Sequence, residues 1–330
     1  MMWLTWRQSR VPGLSVLAGL LVVAAVLAVT GPQLVGRTDY SDLDVLYMGT
    51  IIAMYLLPAV LGVFWGVPMI TRELETGTHS LVWNQTVTRR RWLATKGGIG
   101  VLAATITAGA LSAAITWWAE PIDSLVSTLT NSSMPSHMSP IVFAARGIAP
   151  IGYAAFAYVL GVAVGLVVRR TVAAMAVTLV LFAAVMVAVP LFVRPYVLPA
   201  VRETVSITEA NVTGIVGNDQ TGIIQSIKVR EPAGVWVLTN ETVDPSGKAV
   251  SPLPDFVQTC MPKPDRQSGP PDQRIIATCL AELQGRGYRQ VLSYQPDSRF
   301  WPLQWLETAF FLALSTLLGW FCFRRLRHVS

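Results

Sequence analysis

Six long apolar runs constrain this chain more than any other feature of its sequence. Each run is long enough to cross the hydrocarbon core of a bilayer, which requires about 20 helical residues. Hydrophobic residues make up 52% of the 330 residues and charged residues only 13%, so an ordinary soluble fold is excluded for most of the chain. The predicted spans are Val11–Thr30, Tyr47–Ile70, Trp92–Trp118, Ile141–Val168, Thr171–Val193 and Leu303–Phe323.

The distribution of charge predicts how these spans are oriented. If the amino terminus lies inside, the inner segments carry 12 basic residues and only two acidic ones, Glu73 and Glu75, whereas the remainder carries 13 basic and 17 acidic residues. Basic residues near span ends stay on the cytoplasmic side. We therefore expect both termini to be cytoplasmic and residues 194–301 to lie outside. Nucleic-acid binding is a poor explanation of the net charge of +6, because the basic residues lie in short loops between spans.

The first apolar run is predicted to be a retained span. It is longer than the apolar core of a usual signal peptide, and no clean small-residue cleavage site follows it. The residues before it, with Trp3, Trp6, Arg7 and Arg10, are typical of an amphipathic segment that lies at the inner interface.

Residues 194–301 are numerous enough to fold as a separate domain, and their pattern predicts a mixed α/β fold. Alternating apolar residues in 235–250 around the turn at Asp244–Gly247 indicate a hairpin. Helical spacing predicts a helix over 271–285, and residues 288–294 are typical of a strand. Two roles stay open for this domain: a rigid cap without a ligand, or a part that handles substrate.

Two of the three cysteines, Cys260 and Cys279, fall in this domain. An oxidising exterior favours a disulfide between them. A metal site is disfavoured, because no histidine lies near either cysteine and no paired C-x-x-C is present. We expect no metal, and Cys322 in the last span is best explained as an apolar filler.

No catalytic motif accompanies the spans. The chain lacks a P-loop for nucleotide phosphates, and its three histidines do not combine with a nucleophile or a metal set. We therefore expect no enzymatic activity and no cofactor in this chain.

Two charged residues fall within or beside predicted spans, and each admits two interpretations. Arg146 lies near the outer end of the fourth span and Glu307 near the outer start of the sixth. Both are shallow enough to reach the headgroups, which is the favoured interpretation. The alternative is an interhelical ion pair between Arg146 and Glu307. A second packing signal is the small-residue pair Gly161 and Gly165 in the fourth span.

The loop between the second and third spans is the most informative polar stretch. Residues 71–96 read TRELETGTHSLVWNQTVTRRRWLATK, an acidic helix start followed by a break and three arginines. A polar helix held between two spans on the arginine-rich side is suited to receive force from a soluble motor. Glu73 and Glu75 are two positions apart, so one can face its own chain while the other faces a docked partner.

The chain resembles actinobacterial permease subunits of type-2 ABC exporters. The resemblance rests on MWLTWRQSR at the amino terminus, on the loop FWGVPMITRELETGTHSLVWNQTVTRRRWLATK, and on SYQPDSRFWPLQWLETAFFLAL before and within the last span. It implies a six-span subunit that dimerises. Together with the apolar runs and the charge distribution, this predicts an α-helical integral membrane protein of the bacterial cytoplasmic membrane, divided into residues 1–193 with five spans, an extracytoplasmic domain over 194–301, and a last span with a cytoplasmic tail over 302–330.

The same resemblance implies partners and functional residues. The partners are separate ABC ATPase subunits that bind ATP and Mg, and a second permease, either another copy or a homologue. The coupling loop is 71–92, and the residues that match the coupling helix are Arg72, Glu73, Glu75, Gly77, Thr78 and His79. The second and fifth spans would line the substrate route, with candidate lining residues Met54, Tyr55, Phe64, Met175 and Met186.

The resulting hypothesis is an export permease that moves substrate outward by alternating access. The alternative from another class is a membrane sensor or signalling subunit, with residues 194–301 as receptor and the same loop as docking site. An ATPase partner would distinguish the permease from the sensor.

Overall fold

The computed structural model describes residues 2–34, 36–37, 40–75, 88–126, 135–218, 223–260 and 273–326. These residues form two compact units. The first, a helical unit, contains residues 1–125, 139–197 and 298–330, and the second, a smaller unit, contains residues 126–138 and 198–297. Residues 194–197 and 298–301, which the sequence assigned to the extracytoplasmic domain, therefore lie in the helical unit.

The helical unit contains nine described α-helical segments, several of which are short or continuous with a neighbour. They are α1 (Met2–Thr30), α2 (Asp44–Val60), α3 (Val67–Glu75), α4 (Arg89–Val126), α5 (Pro140–Phe143), α6 (Ala149–Val168), α7 (Thr171–Ala188), α8 (Arg194–Val197) and α11 (Phe300–Arg325). Six stretches are long and apolar enough to cross a membrane, which confirms the predicted number of spans: Gly13–Gln33, Asp44–Glu75, Arg89–Val126, Ala149–Val168, Thr171–Val197 and Asp297–Arg325.

The fourth span differs from its prediction. A continuous helix from Ile141 was expected, but the spanning helix begins at Ala149, and the preceding residues form the short helix α5 and a turn. Gly147 has φ +63°, a left-handed conformation that a helix does not accept and that glycine adopts readily. Pro150 occupies the first turn of α6, where its missing N–H is tolerated. Arg146 therefore precedes the span instead of lying within it.

The fourth span, α6, is the central helix of this unit, since 78% of the residues in its most apolar stretch are buried. Its glycines allow a close approach to the second span. A Cβ on Gly161 would lie 3.0 Å from the backbone nitrogen of Val67, and one on Gly165 would lie 3.1 Å from the Thr71 side chain. The prediction that Gly161 and Gly165 form a packing surface is confirmed, since only small residues permit this contact.

The second and fifth spans each contain a π-helical segment. In the second span it covers Leu61–Gly66 and follows Pro58, and in the fifth it covers Val189–Val193 and includes Pro190. A proline removes one backbone N–H from the helical ladder, and single π-helical turns inside α-helices are frequently found at functional sites.

The second unit is mixed α/β, as predicted. Its strands are β1 (Val201–Val205), β2 (Val212–Gly217), β3 (Ile224–Val229), β4 (Trp236–Val243) and β5 (Arg289–Gln295), and its helices are α9 (Asp255–Cys260) and α10 (Gln273–Gly285). One antiparallel sheet has the order β1-β5-β4, and β2 pairs with β3 in a separate hairpin. The expected hairpin is reduced to one bridge, between Val243 and Ala249, beyond the end of β4.

A small core and a disulfide stabilise this unit. Leu280 and Leu283 of α10 are buried together with Val257 of α9 and isoleucines of β3. Cys260 and Cys279 form a disulfide between the two helices, with Cα atoms 5.6 Å apart. The predicted pairing is thereby confirmed, and Cys322 is a buried free cysteine of the helical unit.

Candidate functional site

The arginine-rich end of the helical unit is the end at which α4 begins, α6 gives way to α7, and α11 ends. It carries Arg89–Arg91, Arg169–Arg170 and Arg324–Arg325. Buried residues from α3, α4 and α6 and from the position directly after α11 meet there in one apolar cluster: Ile70, Trp92, Leu93, Leu166 and Leu326. The helix ends that flank the predicted coupling loop are therefore packed into a common core.

Glu73 ties the second span to the third at this end. Its carboxylate forms an ion pair with Lys96 of α4, and both side chains are largely buried, 16% and 10% exposed. Lys96 also lies 5.2 Å from the centre of the Trp92 ring, a distance at which an ammonium is attracted to the ring face. Glu73 therefore contacts its own chain, as one of the two acids was expected to do.

Glu75 ties the second span to the fifth. One carboxylate oxygen accepts from the backbone N–H of Thr171 at 2.7 Å, and the other accepts from the Thr171 hydroxyl at 2.8 Å. Thr171 is the first residue of α7, whose own N-cap residue Arg170 makes no side-chain cap. A carboxylate suits this position, because the first amides of a helix lack intrahelical partners and carry a partial positive charge.

The two acids thus diverge, as their spacing predicted, but both bind groups of this chain. Glu75 is exposed, so contact with a docked partner stays a prediction for it. Arg72, beside them on α3, is also exposed. Gly77, Thr78 and His79, the other predicted coupling residues, lie outside the described residues.

At the opposite end, a buried ion pair joins the fifth span to the sixth. Arg194 donates from Nε and Nη2 to the two oxygens of Glu307, each at 2.7 Å, and from Nη1 to the carbonyl of Pro140 at 3.0 Å. The Tyr153 hydroxyl of α6 donates to the same carboxylate. Arg194 is 1% exposed and Glu307 is 7% exposed. Four separate segments, α5, α6, α8 and α11, therefore meet at one charged group.

The predicted ion pair between Arg146 and Glu307 is wrong, and so is the favoured interpretation that both reach headgroups. Glu307 is paired with Arg194, and Arg146 is 1% exposed with its Nε 3.7 Å from a carboxylate oxygen of Asp123 on α4. The Arg146 guanidinium lies 5.1 Å from the centre of the Tyr47 ring. The turn at Gly147 explains why the predicted pair does not form, because Arg146 lies before α6 and not on the continuous helix that was expected.

Gln304 fixes the turn that carries Arg146. Its side-chain oxygen accepts from the backbone amides of Ile148 and Ala149 at 3.1 and 2.8 Å, and its nitrogen donates to the Phe143 carbonyl at 2.9 Å. The amides at the start of α6 are thereby satisfied by a side chain of α11. The segment before the fourth span is thus held by the sixth span through both Gln304 and the Arg194–Glu307 pair.

The five predicted lining residues do not share one environment. Tyr55, Met175 and Met186 contribute to a single apolar cluster with α6. Met54 is buried, whereas Phe64 is 56% exposed. Their role along a substrate route stays a prediction.

Arg194, Asp123 and Gln304 were not among the residues predicted from the sequence. Arg194 was assigned to the extracytoplasmic domain as its first residue, although a charge next to an apolar run and directly before Pro195 was a usable signal. Asp123 lies beyond the predicted end of the third span, and the helix continues past it to Val126. Nothing in the sequence pattern marks Gln304, whose role depends on the turn at Gly147.

One family model, described as "ABC-2 membrane transporter related", matches residues 35–194, just under half of the chain. The matched region runs from the second span to Arg194 and includes the loop between the second and third spans. No curated protein and no solved structure matched the chain. The family match supports an ABC-2 type permease, and together with the six membrane-capable helices it indicates a multi-pass membrane protein.

Proposed function

We propose that this chain is the membrane-spanning subunit of an ATP-binding-cassette exporter and is driven by separate ATPase subunits. The observation that carries the proposal is the pair of polar ties at the arginine-rich end, Glu73 to Lys96 and Glu75 to Thr171. They connect the last turn of the second span to the third and fifth spans, directly beside the segment expected to meet the motor.

These two polar contacts, Glu73 to Lys96 and Glu75 to Thr171, are suited to transmit force between spans. A force applied near Arg72 would be transmitted to three spans at once, because Glu73 and Glu75 hold them together. The second span also lies against α6 through Gly161 and Gly165, where the contact leaves no room for a larger side chain. Packed helices of this kind have discrete arrangements. Binding and release of ATP by the partner would shift the population between an inward-open and an outward-open packing.

The chain itself would perform no bond chemistry. ATP and Mg would be bound by the ATPase subunits, and a second permease, either another copy or a homologue, would complete the transport route. The arginine-rich end would face the cytoplasm, since it carries the charges that membrane insertion retains there. The second unit, with its disulfide, would lie on the opposite side of the cytoplasmic membrane, where oxidising conditions preserve such a bond.

Site-directed crosslinking tests the proposal. A cysteine introduced as Arg72→Cys in a Cys322→Ser background places a reactive group at the exposed end of the second span, and Ser246→Cys in the exposed turn after β4 is the matched control. After crosslinking in native membranes and affinity purification, we expect Arg72→Cys to capture an ATPase subunit and Ser246→Cys to capture none.

Each other outcome argues against the proposal. Capture of a kinase or another regulator at Arg72→Cys would support the sensor hypothesis instead. Capture of the ATPase through Ser246→Cys would reverse the orientation.

A further inference from the structure

An open cleft of about 850 Å³ lies at the arginine-rich end, between the start of α4 and the last turns of α11. It is lined by Thr88, Arg90, Arg91, Ala94, Trp320, Phe323 and Arg324. The residues from α11 recur at helical spacing and so occupy one face of that helix. Buried residues of both helices, Trp92, Leu93 and Cys322, form part of the apolar cluster behind it.

The cleft is strongly cationic. Arg90, Arg91 and Arg324 line it, and none of them lies within 4.0 Å of a carboxylate among the residues that the structure describes. The two acids nearest in sequence to Arg90 and Arg91, Glu73 and Glu75, are engaged with Lys96 and Thr171. Three guanidinium groups from two helices therefore line one cleft without a carboxylate counter-charge from the described residues, and an anion with several acceptor oxygens matches them.

One wall of the cleft is aromatic. Trp320 is 60% exposed, and the Arg324 guanidinium lies 5.3 Å from the centre of its ring. Phe323 lines the cleft one turn further along. Trp320 stands within the sixth span and Arg324 in its last turn, so the wall passes from membrane depth to the charged end of the helix. Tryptophan and arginine in this order are typical of the boundary between hydrocarbon and headgroups.

We propose that this cleft binds an anionic phospholipid, with its phosphate among Arg90, Arg91 and Arg324 and its acyl chain along Trp320 and Phe323. Basic pockets between spans bind acidic headgroups in this way. A free phosphate would satisfy the arginines but would leave the aromatic wall unused, and an acidic protein segment would need no site at membrane depth. The proposal does not depend on transport or on an ATPase.

The test is native mass spectrometry of the purified full-length chain in detergent, titrated with short-chain phosphatidylglycerol or short-chain phosphatidylcholine. We expect a saturable site that prefers phosphatidylglycerol. Because each basic residue contributes about 1 kcal/mol of attraction to an anionic lipid, Arg324→Gln should weaken binding about fivefold and Arg90→Gln with Arg91→Gln about 30-fold. Trp320→Ala should weaken binding of the lipid but not that of inorganic phosphate.

The chain offers matched controls. Arg325 is exposed and neighbours Arg324 but does not line the cleft, and Arg169 with Arg170 forms a second exposed pair at the same end. Their glutamine variants should bind phosphatidylglycerol like the unmodified chain, and Arg324→Lys, which keeps the charge, should retain most of the affinity. A monodisperse elution profile confirms that each variant is folded.

Several results would overturn the proposal. Equal losses in Arg324→Gln and Arg325→Gln would show general surface attraction instead of a site. Equal binding of phosphatidylcholine would remove the role of the arginines. Phosphate binding as tight as lipid binding, with no effect of Trp320→Ala, would indicate a free-anion site. Displacement of the lipid by an oligoglutamate peptide at lower concentration than by phosphatidylglycerol would assign the cleft to an acidic protein partner.

Discussion

Breaking the buried ion pair between Arg194 and Glu307 will destabilise the helical unit strongly. Glu307→Leu removes two charge-assisted hydrogen bonds from Arg194 and one from Tyr153. It leaves the buried Arg194 guanidinium with its hydrogen bond to the Pro140 carbonyl and with the face of the Phe143 ring. Removing one partner of a buried pair lowers the free energy of unfolding by about 3–5 kcal/mol. Arg194→Met leaves the Glu307 carboxylate buried without its counter-charge, with the Tyr153 hydroxyl still donating to it, and should lower the free energy of unfolding by a similar amount.

The two single variants and the double variant form a thermodynamic cycle. In Arg194→Met with Glu307→Leu both charges of the pair are removed, so the double variant should recover most of the lost stability, since apolar replacement of a whole buried pair is often neutral. We therefore expect strong non-additivity, because the two side chains act as one unit.

The assay measures the free energy of reversible unfolding of the full-length chain in bilayer discs. An internal control is the exposed pair of Arg37 and Asp42, with side chains 39% and 62% exposed. Arg37→Gln there should lower stability by at most about 1 kcal/mol, as is typical of surface pairs. If Glu307→Leu is as mild as Arg37→Gln, or if the two replacements at the buried pair are additive, the reasoning about this pair is wrong.

Three further predictions concern separate parts of the chain. Gly161→Ala should lower the stability of the helical unit by about 1–3 kcal/mol, because the added Cβ would meet backbone atoms of the second span. Gly98 has open space around it, so Gly98→Ala should leave the stability unchanged, and thermal unfolding of both variants measures the difference. Reduction of the disulfide between Cys260 and Cys279, which are 19 positions apart, should lower the stability of the second unit by about 3 kcal/mol, as measured by limited proteolysis with and without reductant. Hydrogen bonds from the Ser246 hydroxyl and the Lys248 amide lower the pKa of Asp244. The stabilising effect of the Asp244 carboxylate on the turn is therefore complete above the pKa of an unfolded Asp, about 4, and is lost as the pH falls through the lower pKa of the folded state. A carboxyl-carbon NMR titration should show that Ser246→Ala raises the titration midpoint of Asp244.

Apolar run length was sufficient to predict the six spans, because a bilayer imposes a minimum length that few soluble segments reach. Local pattern also predicted the helix and the last strand of the second unit, and the disulfide followed from compartment chemistry. The sequence pattern did not predict which distant segments contact each other. The start of the fourth span shows why: Gly147 lies in an apolar stretch, and only its positive φ reveals that the helix begins after it, at Ala149.

The two buried arginines, Arg146 and Arg194, show why contacts between distant segments were not predicted. Arg146 and Glu307 were correctly recognised as unusual charges, but their partners, Asp123 and Arg194, lay just beyond the predicted span ends. Pairing depends on how far each helix extends and on the turn before α6, neither of which a hydropathy pattern defines to within a residue. The roles of Glu73 and Glu75 were partly accessible, since their spacing predicts divergence, while Thr171 as the partner of Glu75 required the packed structure.

The most direct test of the central claim is ATP turnover in bilayer discs by this chain together with the ATPase subunit proposed as its partner. We predict that turnover depends on the chain and that Glu73→Gln with Glu75→Gln leaves assembly intact but reduces chain-dependent turnover, because the second span is released from the third and fifth. Arg325→Gln, an exposed change at the same end, should leave turnover unaffected. Hydrolysis that is the same with and without the chain, or full turnover in the double variant, would contradict the account.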